Sequence, residues 1–283
     1  MPKIFLMLGL FFSVACISNA QSWATKAANA YNPYDSIGYK HNEAIIYCKD
    51  NYSTGTAIER CISTFTTLYP DVINTDTINH IANASSYAAL NDSTNYAPES
   101  MPLGVVSYTG QLISVIDGIQ ESGEIDDAIA GVRSIENDIL SNDVLSSAQK
   151  QVLLSASSVA RYSMYYWLEN VDSSGEDGLA INNSFRLENP SDINEFGSNQ
   201  YFFRMKGLLE ESNGLILSTN FNFYKKGWLR RLLHIVVGDL VGALVGAVIT
   251  LAITDGIDPV LMELGALLGA FCGSIAVGNL ESS

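Results

Sequence analysis

The chain has 283 residues, 47% of them hydrophobic, enough to fill the core of one large domain or of two modest ones. Thirty Asp and Glu residues against 15 Lys and Arg give a net charge of −15. This acidity argues against nucleic acid as a partner, because phosphates would be repelled. The sequence "KKGWLRR" at 225–231 is the exception, with four basic residues and no acidic one.

The first 20 residues have the features of a cleaved export signal. Lys3 precedes an apolar run over 4–14, and Ser18 and Ala20 have the spacing of a signal-peptidase site. We therefore predict residues 1–20 as a signal peptide and an exported mature chain. Two alternatives stay open, namely a short membrane anchor and a lipoprotein in which Cys16 carries the lipid.

Export would leave three cysteines in a compartment where disulfides persist. Cys48 and Cys61 close a short loop between two predicted helices, so the sequence is compatible with a Cys48–Cys61 disulfide and equally with two buried thiols. Cys272 has apolar neighbours, which indicates an inert, packed thiol.

Residues 30–170 are predicted to form an acidic helical domain. Asn32 can cap a helix, Pro33 suits its first position, and Asp35 falls in its first turn. Apolar residues recur at helical spacing after this start and again in five later segments, over 58–68, 77–90, 105–120, 124–140 and 146–170. Loops are predicted over 91–104 and 171–200, where Pro, Ser, Asn, Asp and Gly interrupt the pattern.

The connector, 171–228, is predicted to be irregular or partly β. Within it, residues 201–224 alternate apolar and polar positions around Asn213 and Gly214, which allows a short β-hairpin. The fold class expected from the whole sequence is mainly α: a helical bundle, this connector, and a helical hairpin over 229–279.

Glycine recurs every fourth residue in two apolar segments separated by "TDGIDP". The positions are Gly238, Gly242 and Gly246 in the first segment and Gly265, Gly269 and Gly273 in the second. Folding the chain back about the turn pairs positions whose numbers sum to 511, so that each glycine faces a glycine. Glycine costs about 1 kcal/mol in a helix interior, and close packing of two antiparallel helices offsets this cost. We predict a glycine-zipper hairpin.

The location of this hairpin has two interpretations. Residues 232–253 and 259–279 are long enough to cross a bilayer, whereas His234, Asp239 and Glu263 oppose insertion. An inserted hairpin would leave its leucine and valine side chains uncovered by the rest of the chain, and a hairpin docked on residues 30–170 would bury them. The side chains that discriminate are Leu240, Leu244, Val248, Leu264 and Leu268.

Three segments together, "NPYDSIGYKHNEAI", "LLSASSVARYSMYYW" and the glycine hairpin after "KKGW", resemble uncharacterised exported proteins of Bacteroidota that have an N-P-Y-D-x-x-G-x-x-H-N start and a C-terminal glycine zipper. The resemblance implies a bacterial envelope or a secreted location and supplies no activity. Glycine zippers also resemble parts of some membrane-active bacteriocins and outer-membrane lipoproteins, a likeness in helix packing alone.

Candidate catalytic residues are few. His41 with Glu43 and Asp35 has the composition of a general base with carboxylates, but His41 lies on the apolar stripe, where a buried structural histidine is expected. No spacing typical of a metal centre, a serine nucleophile or a phosphate-binding loop occurs, so no metal and no cofactor is predicted.

A second candidate is a group of aromatic residues with an arginine, the composition of a binding hot spot. Its members are Arg161, Tyr162, Tyr165, Tyr166 and Trp167. The alternative is a helix that packs these aromatics into the core, with Arg161 paired to an acid.

The functional expectation is an exported, non-enzymatic protein that associates with the cell envelope or self-assembles through the hairpin. The alternatives are a soluble binding protein that uses the aromatic group and a hydrolase centred on His41.

Overall fold

The computed structural model describes residues 22–52, 57–70, 103–119, 124–170, 227–253 and 259–280. These residues contain eight α-helices and no strand. The helices are α1 (Ser22–Ala27), α2 (Ser36–Asn51), α3 (Ala57–Leu68), α4 (Leu103–Asp117), α5 (Ile125–Ser141), α6 (Ser147–Asn170), α7 (Gly227–Ile253) and α8 (Pro259–Leu280). The mainly α class is therefore confirmed for this part of the chain. The predicted signal peptide, the helix over 77–90 and the possible β-hairpin over 201–224 lie outside the described residues.

Helix α2 begins three residues later than the capping pattern predicted. The Asn32 side-chain oxygen accepts the Tyr34 N–H at 2.8 Å, and the Asn32 carbonyl accepts the Asp35 N–H at 3.1 Å. These bonds close a turn, and Asp35 becomes the N-cap residue, with no hydrogen bond from its side chain to the helix backbone. The Asp35 carboxylate is instead directed towards α6.

Helix α6 lies at the centre of the bundle. Every side chain from Gln151 to Trp167 is buried. It packs against α1, α2, α4 and α5 and also against α7 and α8. Gly38 on α2 permits a close crossing, because a Cβ there would overlap the Ser158 carbonyl and the Tyr162 ring. One continuous hydrophobic core contains residues of the bundle and of the hairpin.

Helices α7 and α8 make the most extensive helix–helix contact among the described residues. A Cβ on Gly242 would overlap the carbonyl of Gly269, and one on Gly246 would overlap that of Gly265. A Cβ on Gly273 would overlap the carbonyl of Gly238. These contacts pair the glycines in the register predicted from the sequence. The obstructing atoms belong to the backbone, so no change of rotamer would make room for a side chain.

The hairpin is docked on the bundle along most of its length. Of the five side chains that discriminate between insertion and docking, Leu240, Leu244, Leu264 and Leu268 are buried and Val248 is half-buried. The uncovered apolar surface expected of an inserted hairpin is therefore not found at these four positions. Among the described residues, no helix is long and apolar enough to span a bilayer.

Contacts of the hairpin with the bundle come from several helices. α6 packs against α7, and α2 and α3 pack against α8. The rings of Phe65 on α3 and Phe271 on α8 meet edge to face, with centroids 6.1 Å apart. Gln151 on α6 donates to the Pro259 carbonyl at 3.0 Å, in the first turn of α8. The docked position of the hairpin is thus fixed both along its length and near its turn.

We predict that Gly246→Ala destabilises the protein by about 1–3 kcal/mol, because the added methyl group forces two backbones apart. Gly104→Ala is the matched control. A Cβ at Gly104 meets only the end of the Leu145 side chain, at 2.8 Å, and this end can rotate away. Urea unfolding of the mature chain should therefore give Gly104→Ala a stability within about 1 kcal/mol of wild type. Equal losses for both variants would show that the glycine contact does not limit the hairpin.

Candidate functional site

The arginine and aromatic residues considered as a binding patch lie in the core. Arg161 is fully buried, and the four aromatic side chains are at most 6% exposed. They are Tyr162, Tyr165, Tyr166 and Trp167. The group therefore offers no surface to a partner, and the alternative interpretation, core packing with Arg161 paired to acids, describes the structure. This part of α6 is enclosed on all its faces.

The Arg161 guanidinium is the centre of a buried ion-pair network. Its Nε atom donates to Glu136 on α5 at 3.1 Å, and Nη2 lies 3.1 Å from the same carboxylate oxygen. Nη2 also donates to Asp35, and Nη1 donates to the carbonyl of Ala27. A buried arginine needs such partners, because an unpaired charge in the core is strongly disfavoured.

The Glu136 carboxylate is fully buried and receives further donors from three other residues. The Asn29 amide donates to one oxygen at 2.6 Å. The Asn32 amide and the Ser157 hydroxyl each donate to the other oxygen at 2.7 Å. The network therefore binds the segment between α1 and α2 to both α5 and α6. The Asn32 amide group and the Asp35 carboxylate, from two letters of the "NPYD" motif, therefore bond to this network and not to the backbone of α2.

His41, the candidate general base, is fully buried, whereas Glu43 is exposed and Asp35 is bound to Arg161. The three residues therefore do not form an accessible catalytic group. The Asn42 amide donates to the Tyr162 carbonyl at 3.0 Å, which turns its oxygen towards His41 Nδ1 at 3.1 Å. Burial lowers the pKa of His41 to about 4, and Asn42 and the Ala270 backbone on α8 oppose this shift. His41 is a neutral, structural side chain in contact with the hairpin.

Asp239 on α7 is a second buried acid, and it lies between α6 and α8. Its carboxylate accepts hydrogen bonds from Ser163 at 2.8 Å and from the Trp167 indole at 3.3 Å. Ser274 on α8 also donates to it. Burial raises the pKa of Asp239 to about 7, and the three donors act in the opposite direction. From the sequence alone, Asp239 was identified only as a residue that opposes membrane insertion. In the fold its side chain connects the hairpin to α6.

Cys48 is a buried free thiol at the contact between α2 and α3. Burial raises the pKa of this thiol, while Thr64 and Arg60 act in the opposite direction. A raised thiol pKa indicates an unreactive side chain. Cys48 carries no disulfide in this structure, which corresponds to the alternative of buried thiols, and the side chains of Cys61 and Cys272 lie outside the described part of the chain. Thiol labelling of the unfolded, unreduced chain distinguishes the two alternatives.

Arg161, Glu136 and Asp35 are bonded to one another, and Asp239 is bonded to neutral hydrogen-bond donors. Within the described ranges, no three His, Cys, Asp or Glu side chains come together as metal ligands. The buried polar side chains therefore connect helices to one another. Comparisons of the chain with protein-family models, with curated proteins and with solved structures find no match.

We predict that Arg161→Met costs about 3–5 kcal/mol, because it leaves Glu136 buried and charged without its cation. The control is Lys49→Met at a partly exposed position of α2, where a change within about 0.5 kcal/mol is expected. Adding Glu136→Leu to Arg161→Met should recover part of the loss, since the unpaired charge is then removed. Chemical unfolding of wild type, the single variants Arg161→Met and Glu136→Leu and the double variant gives this coupling, and strictly additive losses would contradict the network.

Proposed function

We propose that this chain is an exported, non-enzymatic helical protein that associates with the cell envelope through the tip of its C-terminal hairpin. The proposed binding partner is the lipid surface of a membrane, which the tip contacts while the hairpin stays docked on the bundle. The resemblance to exported Bacteroidota proteins and the signal-like first 20 residues support the envelope as the location.

The proposal depends on the exposure of apolar side chains at the tip, which is the end of the hairpin formed by Leu251 on α7 and residues 259–261 on α8. Val260 in the first turn of α8 is 46% exposed, next to an exposed Pro259. Leu251 in the last turn of α7 and Leu261 are half-buried, whereas most other described side chains of the hairpin are buried. Apolar side chains from both helices are therefore accessible at one end. Contiguous exposed apolar surface is a feature of protein and membrane interaction sites.

Self-assembly through the glycine faces has less support. Gly242, Gly246 and their partners Gly269 and Gly265 are already in contact within one chain. A second chain would have to separate α7 from α8 before it could use them. We therefore assign association to the tip rather than to the zipper, and we expect the mature chain to be monomeric in the absence of lipid.

We predict that the purified mature chain floats with vesicles of phosphatidylethanolamine and phosphatidylglycerol, and that Val260→Asp lowers the bound fraction about tenfold. Moving the valine side chain from water into lipid contributes about 1.5 kcal/mol to binding. The variant loses this contribution and adds a charge. Val144→Asp is the control, because Val144 is 92% exposed in the connection between α5 and α6. Fractionation of the native host should place wild-type protein in the detergent-extracted pool.

Two outcomes would contradict the proposal. Wild-type protein that stays in the soluble or secreted pool and does not float with vesicles would exclude lipid as the partner. An equal loss for Val260→Asp and Val144→Asp would show that any added acid weakens binding, so that the tip has no special role. Size-exclusion chromatography before flotation shows whether the chain self-assembles, which is the competing explanation for its association.

A further inference from the structure

Two ionisable side chains are enclosed where the hairpin docks on the bundle, and they are of opposite type. Asp239 belongs to α7 and faces α6 and α8, whereas His41 belongs to α2 and lies against Ala270 on α8. Both are fully buried. Undocking the hairpin would expose both side chains to water, because Asp239 would separate from α6 and His41 would separate from α8.

Neither side chain has an ionic partner among the described residues. The groups that face Asp239 are the hydroxyls of Ser163 and Ser274 and the indole of Trp167, all of them neutral. No charged group accounts for the shifted pKa of this acid.

The charged groups around His41 also lie apart from it. Lys40 on α2 and Glu263 on α8 are 3.5 Å apart and pair with each other at partly exposed positions, and Glu43 points to solvent. Arg161 on α6 is occupied by Glu136 and Asp35. His41 is therefore enclosed as a neutral ring.

We infer that undocking of the hairpin releases a proton from Asp239 and takes up a proton at His41, so that two opposite proton linkages keep docking nearly independent of pH in the acidic range. This inference goes beyond the proposed function, since it concerns the hold of the bundle on the hairpin whether or not the tip binds lipid. Where both side chains change protonation state, undocking releases one proton and takes up one proton, so the net uptake is zero.

The direction of each linkage follows from burial. The docked state keeps Asp239 protonated up to about pH 7, whereas an exposed aspartate ionises near pH 4, so docking weakens as pH rises through this interval. The docked state keeps His41 neutral down to about pH 4, whereas an exposed histidine protonates near pH 6.5, so docking weakens as pH falls through this interval. Between about pH 4 and 6.5 each effect amounts to roughly tenfold per pH unit, and the two cancel.

The test is amide hydrogen exchange of α7 and α8 in the mature chain from pH 4.5 to 6.5, corrected for intrinsic exchange rates. The opening constant of wild type should change little with pH. For Asp239→Asn, the ratio of its opening constant to that of wild type should fall up to tenfold per unit as pH rises, because the acid linkage is gone. For His41→Gln, the same ratio should rise up to tenfold per unit.

Leu240→Ala is the matched control, a buried neutral neighbour of Asp239 whose ratio to wild type should be independent of pH. Ratios for Asp239→Asn and His41→Gln that are as flat as this control would overturn the inference. If either variant fails to fold, NMR titration of the wild-type His41 ring decides: a ring that stays neutral at pH 5 supports the inference, and one that titrates near 6.5 in the folded protein overturns it. Neither measurement uses lipid, so this inference and the proposed function can fail separately.

Discussion

The enclosure of α6 is the constraint on which the rest of this structure depends. From Gln151 to Trp167 the helix has no solvent-facing side chain, yet the segment carries serines, an arginine and tyrosines as well as aliphatic residues. Buried polar groups must find hydrogen-bond partners inside the protein, since an unsatisfied one costs about 1–3 kcal/mol. The neighbouring helices are positioned by those partners: Arg161 determines where Asp35 and Glu136 lie, and Ser163 with Trp167 determines where Asp239 lies.

The two polar clusters differ in what they hold together. The Arg161 cluster contains a cation, two carboxylates and several neutral donors, and it joins α5 and α6 to the chain entering α2. The Asp239 cluster has no cation and joins α6 to α7 and α8. Its acid is enclosed by neutral donors, and burial outweighs their effect on its pKa. Buried charge pairing therefore contributes to holding the bundle together, whereas the docking of the hairpin includes a buried acid with neutral hydrogen-bond partners.

Within the hairpin, packing and helix propensity oppose each other. The glycines lower the intrinsic stability of α7 and α8, but they let carbonyl groups of one helix approach the backbone of the other, as at Gly246 and Gly265. This contact is made inside the hairpin, and the bundle covers most of the described side chains of the two helices. The proposed association with the envelope would use a small apolar surface while most apolar residues of the hairpin stay enclosed.

Local pattern was enough to predict most of the described helices and the glycine register, because a period of about 3.6 residues and a four-residue glycine spacing are properties of single helices and one turn. The sequence also indicated that His41 is structural, since it stands on an apolar stripe. The partners of Arg161, the role of Asp239 and the docking of the hairpin were decided by tertiary structure. Glu136 lies 25 positions from Arg161, and Ser163 lies 76 from Asp239, so no local pattern relates them. Whether an apolar helix meets lipid or other helices depends on what covers it, and among the described residues the packing of α2, α3, α4 and α6 against the hairpin provides that cover.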